Sequence, residues 1–341
     1  MKKKTVTVVL ANHRPETLRA SEAVMNRHDA VFLEDPPSDD LDRMLTGDLS
    51  VDAYVEAADT EYPEFTGQMS FLLRKMAAQG KIVLAVEPFL KHLLEIHEFF
   101  AEGGTPAELN PDTDQFRVYA AERDATGGLL AFYRAAASGS FVKTVRAVKE
   151  FARLDAKRFV LRDRMRAKAL AEKVRLFQSS YVEAGQIHVY LWRMLRAELE
   201  PEISVKPCFL MMPVVRDVGV GRHLYGPGDV LTLLYIFHPN FHDPTEDLLA
   251  ARALIYNKVI EKNEITTSID THPHLRNELE TIETVRQLSL EDCRRLFPYI
   301  CRETTENAKR QVHRYIRNEK GAFSMLSFAA REKRPRAALT E

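Results

Sequence analysis

Cysteine is scarce in this chain. Its 341 residues include three, Cys208, Cys293 and Cys301. No two of them form a CxxC pair, so a zinc ribbon and a thioredoxin-type motif are excluded. A sparse, odd set fits a reducing compartment rather than a disulfide framework. Cys293 and Cys301 read as packing residues of a helix. An excess of either charge is also missing: 48 basic residues face 49 acidic ones, for a net charge of −1. Such balance supplies no global field for nucleic acid or an anionic membrane. The most basic stretch, Lys149 to Arg175, is interrupted by carboxylates. No apolar run approaches the ~20 residues of a membrane span. Met1-Lys2-Lys3-Lys4 and the apolar Thr5 to Leu10 imitate a signal peptide, but the run is short and ends in Asn12, His13 and Arg14. A Walker loop, a GxGxxG turn and a GxSxG elbow are absent, and the glycine-rich Tyr225-Gly226-Pro227-Gly228-Asp229 matches none of them. The expectation is a cytoplasmic globular protein.

What is present is an alternation of strands and helices. Thr5 to Leu10 (TVTVVL) is continuous and β-branched, like an interior parallel strand. Pro15 suits a helix start, and Glu16 to Asn26 read as that helix. Ala30 to Leu33 is a second strand, ended by Glu34-Asp35-Pro36-Pro37. Phe65 to Gln79 is an amphipathic helix stopped by Gly80, and Lys81 to Val86 is a third strand. The pattern predicts an α/β fold, a parallel-type central sheet flanked by helices. From about 90 to 177 the chain reads as a large helical insertion, punctuated at Gly103-Gly104 and Gly127-Gly128 and placed to cover the open end of the sheet as a lid. Two long helices, Phe141 to Leu154 and Ala156 to Phe177, close it. Strands then resume at Ser179 to Ala184 and Ile203 to Met212, with a further apolar segment from Val230 to Phe237. The expected organisation is an α/β core over 1–240, a helical C-terminal region over 241–328 and a disordered tail over 329–341.

In open α/β sheets, sites lie beyond the carboxyl ends of the strands. His13, Glu34 and Glu87 each fall at such an end. His13 is a candidate base or metal ligand, or a histidine bonded to local backbone. Glu16 and Arg19 follow at three-residue spacing and project near it, or form a solvated first turn. His188 comes three residues after Gly185, which permits a sharp strand-to-helix turn and close backbone approach. Glu183 precedes them on the strand and either orients a histidine or faces outward. Arg158, Arg162, Asp163 and Arg166 recur at helical spacing, as an ion-paired surface or as arginines aimed at an anionic group. His238-Pro239-Asn240-Phe241-His242 and His272-Pro273-His274 lack zincin spacing and read as loops.

Taken in order, these residues resemble the erythromycin-esterase, ChaN, TraB and TIKI-like superfamily. Its members show a GxxH after the first strand, a Glu ending the second, a central helix with an Arg-Asp pair and a second GxxH opening a late helix. The counterparts here are Leu10-Ala11-Asn12-His13, Glu34, Arg162-Asp163-Arg164-Met165-Arg166-Ala167 and Gly185-Gln186-Ile187-His188, spread over residues 5 to 200. Leu10 stands where the family has Gly. The resemblance implies a hydrolase-like site in some relatives and a haem- or iron-binding surface in others.

Two imidazoles and a carboxylate, His13, Glu34 and His188, make a plausible set for a divalent metal (Zn, Mn or Fe) with a coordination position left for water. Without metal the same three groups could work by acid–base catalysis. The expected activity is hydrolysis of a small-molecule or peptide-like substrate, with Arg19 and Arg162 binding substrate and Glu16, Glu87, Asp163, Glu183 and Gly185 in support. The alternative is a non-catalytic protein that binds haem, iron or a small ligand. Partners are then a small molecule, with no nucleic acid and no membrane, and self-association into a homo-oligomer is left open.

Overall fold

The computed structural model describes residues 3–218, 224–266 and 270–320; the tail expected over 329–341 lies outside them. Five strands form one sheet: β1 (Thr5–Ala11), β2 (Ala30–Leu33), β3 (Ile82–Ala85), β4 (Ser179–Gly185) and β5 (Ser204–Phe209). All pairings are parallel, in the order β3-β2-β4-β1-β5. The expected α/β class is therefore what the chain adopts. β2 is buried at every position, as its AVFL sequence requires of a central strand covered on both faces. β5 carries Pro207. Among the described residues it lies at the edge of the sheet, paired only to β1, where a missing N–H costs no ladder bond.

β4 sits between β1 and β2. The chain leaves β1 toward β2 and β3 on one side, and leaves β4 toward β5 on the other. Crossovers that diverge in this way open a crevice beyond the carboxyl ends of the two central strands. The turns after β1 and β4 both face that crevice, which is why the two strand-to-helix units come together.

Helices cover the rest. Pro15–Thr17 is a single 3-10 turn leading into α1 (Leu18–Met25). Next come α2 (Asp39–Thr46), α3 (Val51–Ala58) and α4 (Pro63–Ala78), the first two capped by Ser38 and Ser50. α5 (Pro88–Ala101), α6 (Asp114–Ala137) and α7 (Phe141–Val174) make up the insertion. α8 (Val189–Glu198) links the last two strands, and α9 (Met212–Val218), α10 (Pro227–Phe237), α11 (Thr245–Val259), α12 (Pro273–Arg286), α13 (Leu290–Ile300) and α14 (Thr305–Tyr315) follow. No helix among the described residues is long and apolar enough to cross a membrane.

Three expectations change. The pair of long helices closing the insertion is a single helix of 34 residues, α7, because nothing between Leu154 and Ala156 breaks it and Asp155 is bonded by Arg158. Pro273 opens α12 rather than sitting in a loop, and His274 is buried in its first turn; proline suits a first helical position because its missing N–H would be unpaired there anyway. Gly127-Gly128 lies inside α6 and does not punctuate it. Gly128 faces α7, where an added Cβ would come 2.9 Å from Leu154 Cδ1 and 3.3 Å from Phe151 Cα, whereas Gly127 faces open space. The two glycines should therefore respond oppositely. Gly127→Ala is expected to stabilise by about 0.5–1 kcal/mol through helix propensity, and Gly128→Ala to destabilise by about 1–3 kcal/mol through overpacking. Paired urea melts check the sign of each.

The core is continuous across the expected boundary at 240. Residues of α7, α8 and α10 to α14 share one apolar cluster, including Val145, Tyr190, Leu231, Leu254, Phe297 and Val312. Cys293 is fully buried within it, as a packing residue.

Candidate functional site

Glu34, at the end of β2, is 8% exposed and lies at the centre of a buried ion network. Its Oε1 accepts from His188 Nε2 at 2.9 Å and from Arg162 Nη2 at 2.9 Å. Its Oε2 accepts from the Gly185 N–H at 2.5 Å, with Arg166 Nη1 at 3.7 Å. Burial alone would raise this carboxyl, but the charges of His188, Arg162 and Arg166 outweigh burial and hold it well below the usual carboxylate range.

His188 is the N-cap residue of α8. Its second nitrogen, Nδ1, bonds Asp163 of α7 at 2.5 Å, and its ring meets Phe159 edge-on at 5.1 Å. Burial disfavours the imidazolium, yet Glu34 and Asp163 on its two nitrogens push its pKa up to about 9. At neutral pH it is a cation clamped between two carboxylates.

Glu87 is fully buried. Its Oε1 caps α5 through the Phe89 N–H, and its Oε2 accepts from Arg162 Nε at 3.1 Å. Arg166 is 1% exposed and donates to the Val86 carbonyl at 2.9 Å. Arg162, Asp163 and Arg166 thus turn inward from α7 onto the ends of β2, β3 and β4. Arg158 is different: it binds Glu122 of α6 and Asp155. This is no solvated i,i+4 surface.

His13 stands apart from this network. It stacks on Phe65 of α4, with ring centroids 5.4 Å apart, and among the described residues its ring makes no hydrogen bond or ion pair. Two cavities meet at it. One, of about 320 Å³, is lined by His13, Glu34, Asp35, Tyr54, Phe65 and Glu183. The other, of about 290 Å³, is lined by Asn12, His13, Arg14, Gln186, Tyr256 and Glu278. In the first, Glu183 uses Oε2 to accept from the Glu34 N–H at 3.2 Å. Burial raises the Glu183 carboxyl, and the nearby charge of His13 partly offsets this.

The structure therefore joins Glu34 to His188, sets Arg162, Asp163 and Glu87 around them, and leaves His13 at the cavities beside Glu183. The metal set of His13, Glu34 and His188 does not fit this arrangement. An imidazolium with both nitrogens bonded offers no lone pair, and both Glu34 oxygens are taken. Among the described residues no group of three or more His, Cys, Asp or Glu is placed to hold a metal ion.

Arg19 is exposed on α1 and lines neither cavity, so it is not positioned to bind substrate there. Glu16 is not a solvated first-turn residue. Its carboxylate accepts from the His274 and Leu275 N–H groups at 3.0 and 2.7 Å, capping α12. Gly185 is adopted without positive φ, and a Cβ there would meet His188 and Glu34 at ordinary contact distance, 3.4 and 3.6 Å. Leu10 is a buried core residue of β1 opposite Ala184.

Asn12, Arg14, Asp35, Gln186, Tyr256 and Glu278 were not singled out by sequence. Asp35 and Gln186 adjoin motif residues and could have been found by proximity. Glu278 and Tyr256 lie on helices whose charge pattern resembles any surface helix, and only tertiary packing brings them to His13.

A protein of Archaeoglobus fulgidus described as "Uncharacterized protein" is 30% identical to this chain over 293 residues, covering 85% of this chain and 97% of that protein. The two belong to one family. The shared length is too great to stop at the α/β core, so the family extends into the residues beyond 240. No family model and no solved structure matches the chain.

Proposed function

We propose that this protein is a cytoplasmic hydrolase of a small-molecule or peptide-like substrate, of the erythromycin-esterase, ChaN, TraB and TIKI-like type, working by acid–base catalysis at His13. The observation that carries the reading is the contrast between the two histidines. His188 is locked as a cation, whereas the His13 ring is untied and stands where two cavities meet at the sheet's switch point.

In this reading His13 takes a proton from water as the water oxygen bonds to the scissile carbonyl carbon. The resulting imidazolium returns that proton to the leaving group as the carbon–heteroatom bond breaks. Glu183 and Asp35 line the same cavity as His13. The network of Glu34, Glu87, Arg162, Asp163, Arg166 and His188 acts as a rigid frame. Its charges are paired, so it fixes the ends of β2 and β4 and the backbone on which Glu183 and Asp35 stand.

The test is a panel of chromogenic esters, amides and short peptides assayed with wild type and His13→Gln, with and without chelator. The expected result is chelator-insensitive turnover of at least one class, absent from His13→Gln. Full turnover in His13→Gln would overturn the assignment. So would activity lost to chelator and restored by zinc, or a Soret band in the purified protein, which would favour a haem-binding role.

A further inference from the structure

The 290 Å³ cavity lies between the turns after β1 and β4 and the helices α11 and α12. Several of the polar groups on its wall are already engaged. The Glu278 carboxylate accepts from Asn12 Nδ2 at 2.8 Å and Gln186 Nε2 at 3.4 Å. Asn277 Oδ1 accepts from the Glu261 N–H at 3.1 Å. Glu261 itself accepts from the N–H groups of Lys262 and Asn263, and His274 is bonded to Glu16.

Arg14, like His13, is not so engaged. Its guanidinium lies flat over the Tyr62 ring, 3.9 Å from the centroid. Among the described residues no carboxylate lies within ion-pair distance of it, and its Nη1 is buried with no hydrogen-bond partner. The guanidinium is stacked and half-buried, and it acts on the Glu278 carboxyl only through space; a buried N–H without a direct partner is costly.

We propose that this cavity is the subsite for a carboxylate group of the substrate, bound by Arg14, an assignment that rests on the hydrolytic site at His13 proposed above. The planar fork of a guanidinium matches a carboxylate. A single cation suits a monoanion, whereas a phosphate dianion would face Glu278 and Glu261 with one positive charge to balance it. Burial and the nearby Asp229 push the Glu278 carboxyl up to about 7, so it opposes an incoming monoanion less than an ordinary glutamate would. His13, shared by both cavities, then stands between the bound carboxylate and the scissile bond.

Calorimetric titration of the full chain with butyrate, its neutral isostere butyramide and inorganic phosphate tests this directly. Butyrate is expected to bind, and butyramide and phosphate at least about tenfold more weakly. Arg14→Met should weaken butyrate binding by about 10- to 100-fold. Arg14→Lys, which keeps the charge but loses the fork, should fall between and guards against misfolding of the methionine variant. Arg19→Met, outside both cavities, should bind butyrate within about twofold of wild type, and because calorimetry reads binding alone, failure of the catalytic assignment would leave this result standing. Equal binding of butyramide, tighter binding of phosphate, or undiminished butyrate affinity in a folded Arg14→Met would overturn the proposal.

Discussion

Replacing His188 with alanine is expected to destabilise the protein by about 3–5 kcal/mol, the usual cost of removing one partner from a buried ion pair. The residue is 4% exposed and both nitrogens are bonded to carboxylates. Its loss leaves Asp163 facing an empty space and strips Glu34 of one of the cations that hold it charged. The same clamp predicts a pH dependence of defined sign. The His188 pKa is raised in the folded state, from 6.5 to about 9. Its contribution is therefore fully present below about pH 6.5 and is lost as pH rises through 9, a swing of about 3 kcal/mol. Glu34 acts in the opposite sense: its folded pKa is depressed, so its stabilising share is lost on acidification. Urea unfolding from pH 6 to 10 should show wild type weakening on the alkaline side, and His188→Ala should lack that slope. Parallel curves for the two proteins would refute the clamp.

His13→Gln is expected to lower kcat by about 10²–10⁴-fold, the range supplied by a positioned general base, while stability changes by less than about 1 kcal/mol. The two effects separate because the His13 ring makes no hydrogen bond among the described residues and packs on one face of Phe65. Glutamine can fill most of that space but cannot shuttle the proton. A variant that unfolds several kilocalories more easily, or one that keeps its turnover, would place His13 in the frame rather than at the reacting atoms. The pairing with His188 makes the experiment informative. One histidine should govern stability with its alkaline slope, the other turnover at nearly constant stability.

Much of this arrangement was legible in the order of residues. The period of TVTVVL and AVFL, and polar residues closing each strand, were enough for a parallel sheet and for placing the site at its carboxyl ends. Glu34, Arg162, Asp163 and His188 could be grouped because their motifs recur in order, and the structure brings them into contact. What could not be read was which imidazole would be free. That depends on Asp163 and Glu34 meeting opposite edges of one ring, a consequence of how α7 crosses the sheet. Helix spacing alone cannot specify such a crossing. Nor could the role of Glu16 be read, since its partners are backbone N–H groups more than 250 positions away.

The strand order also governs how the chain is assembled. β1 and β2 never pair with each other; β4 is inserted between them and bonds both. During synthesis, the first two strands leave the ribosome with their inner edges open until residue 179 has been made and threaded into the gap. Long-range pairing of this kind is slow, and open strand edges invite pairing with other chains. Truncations ending before Ser179 should aggregate rather than fold as a smaller α/β unit.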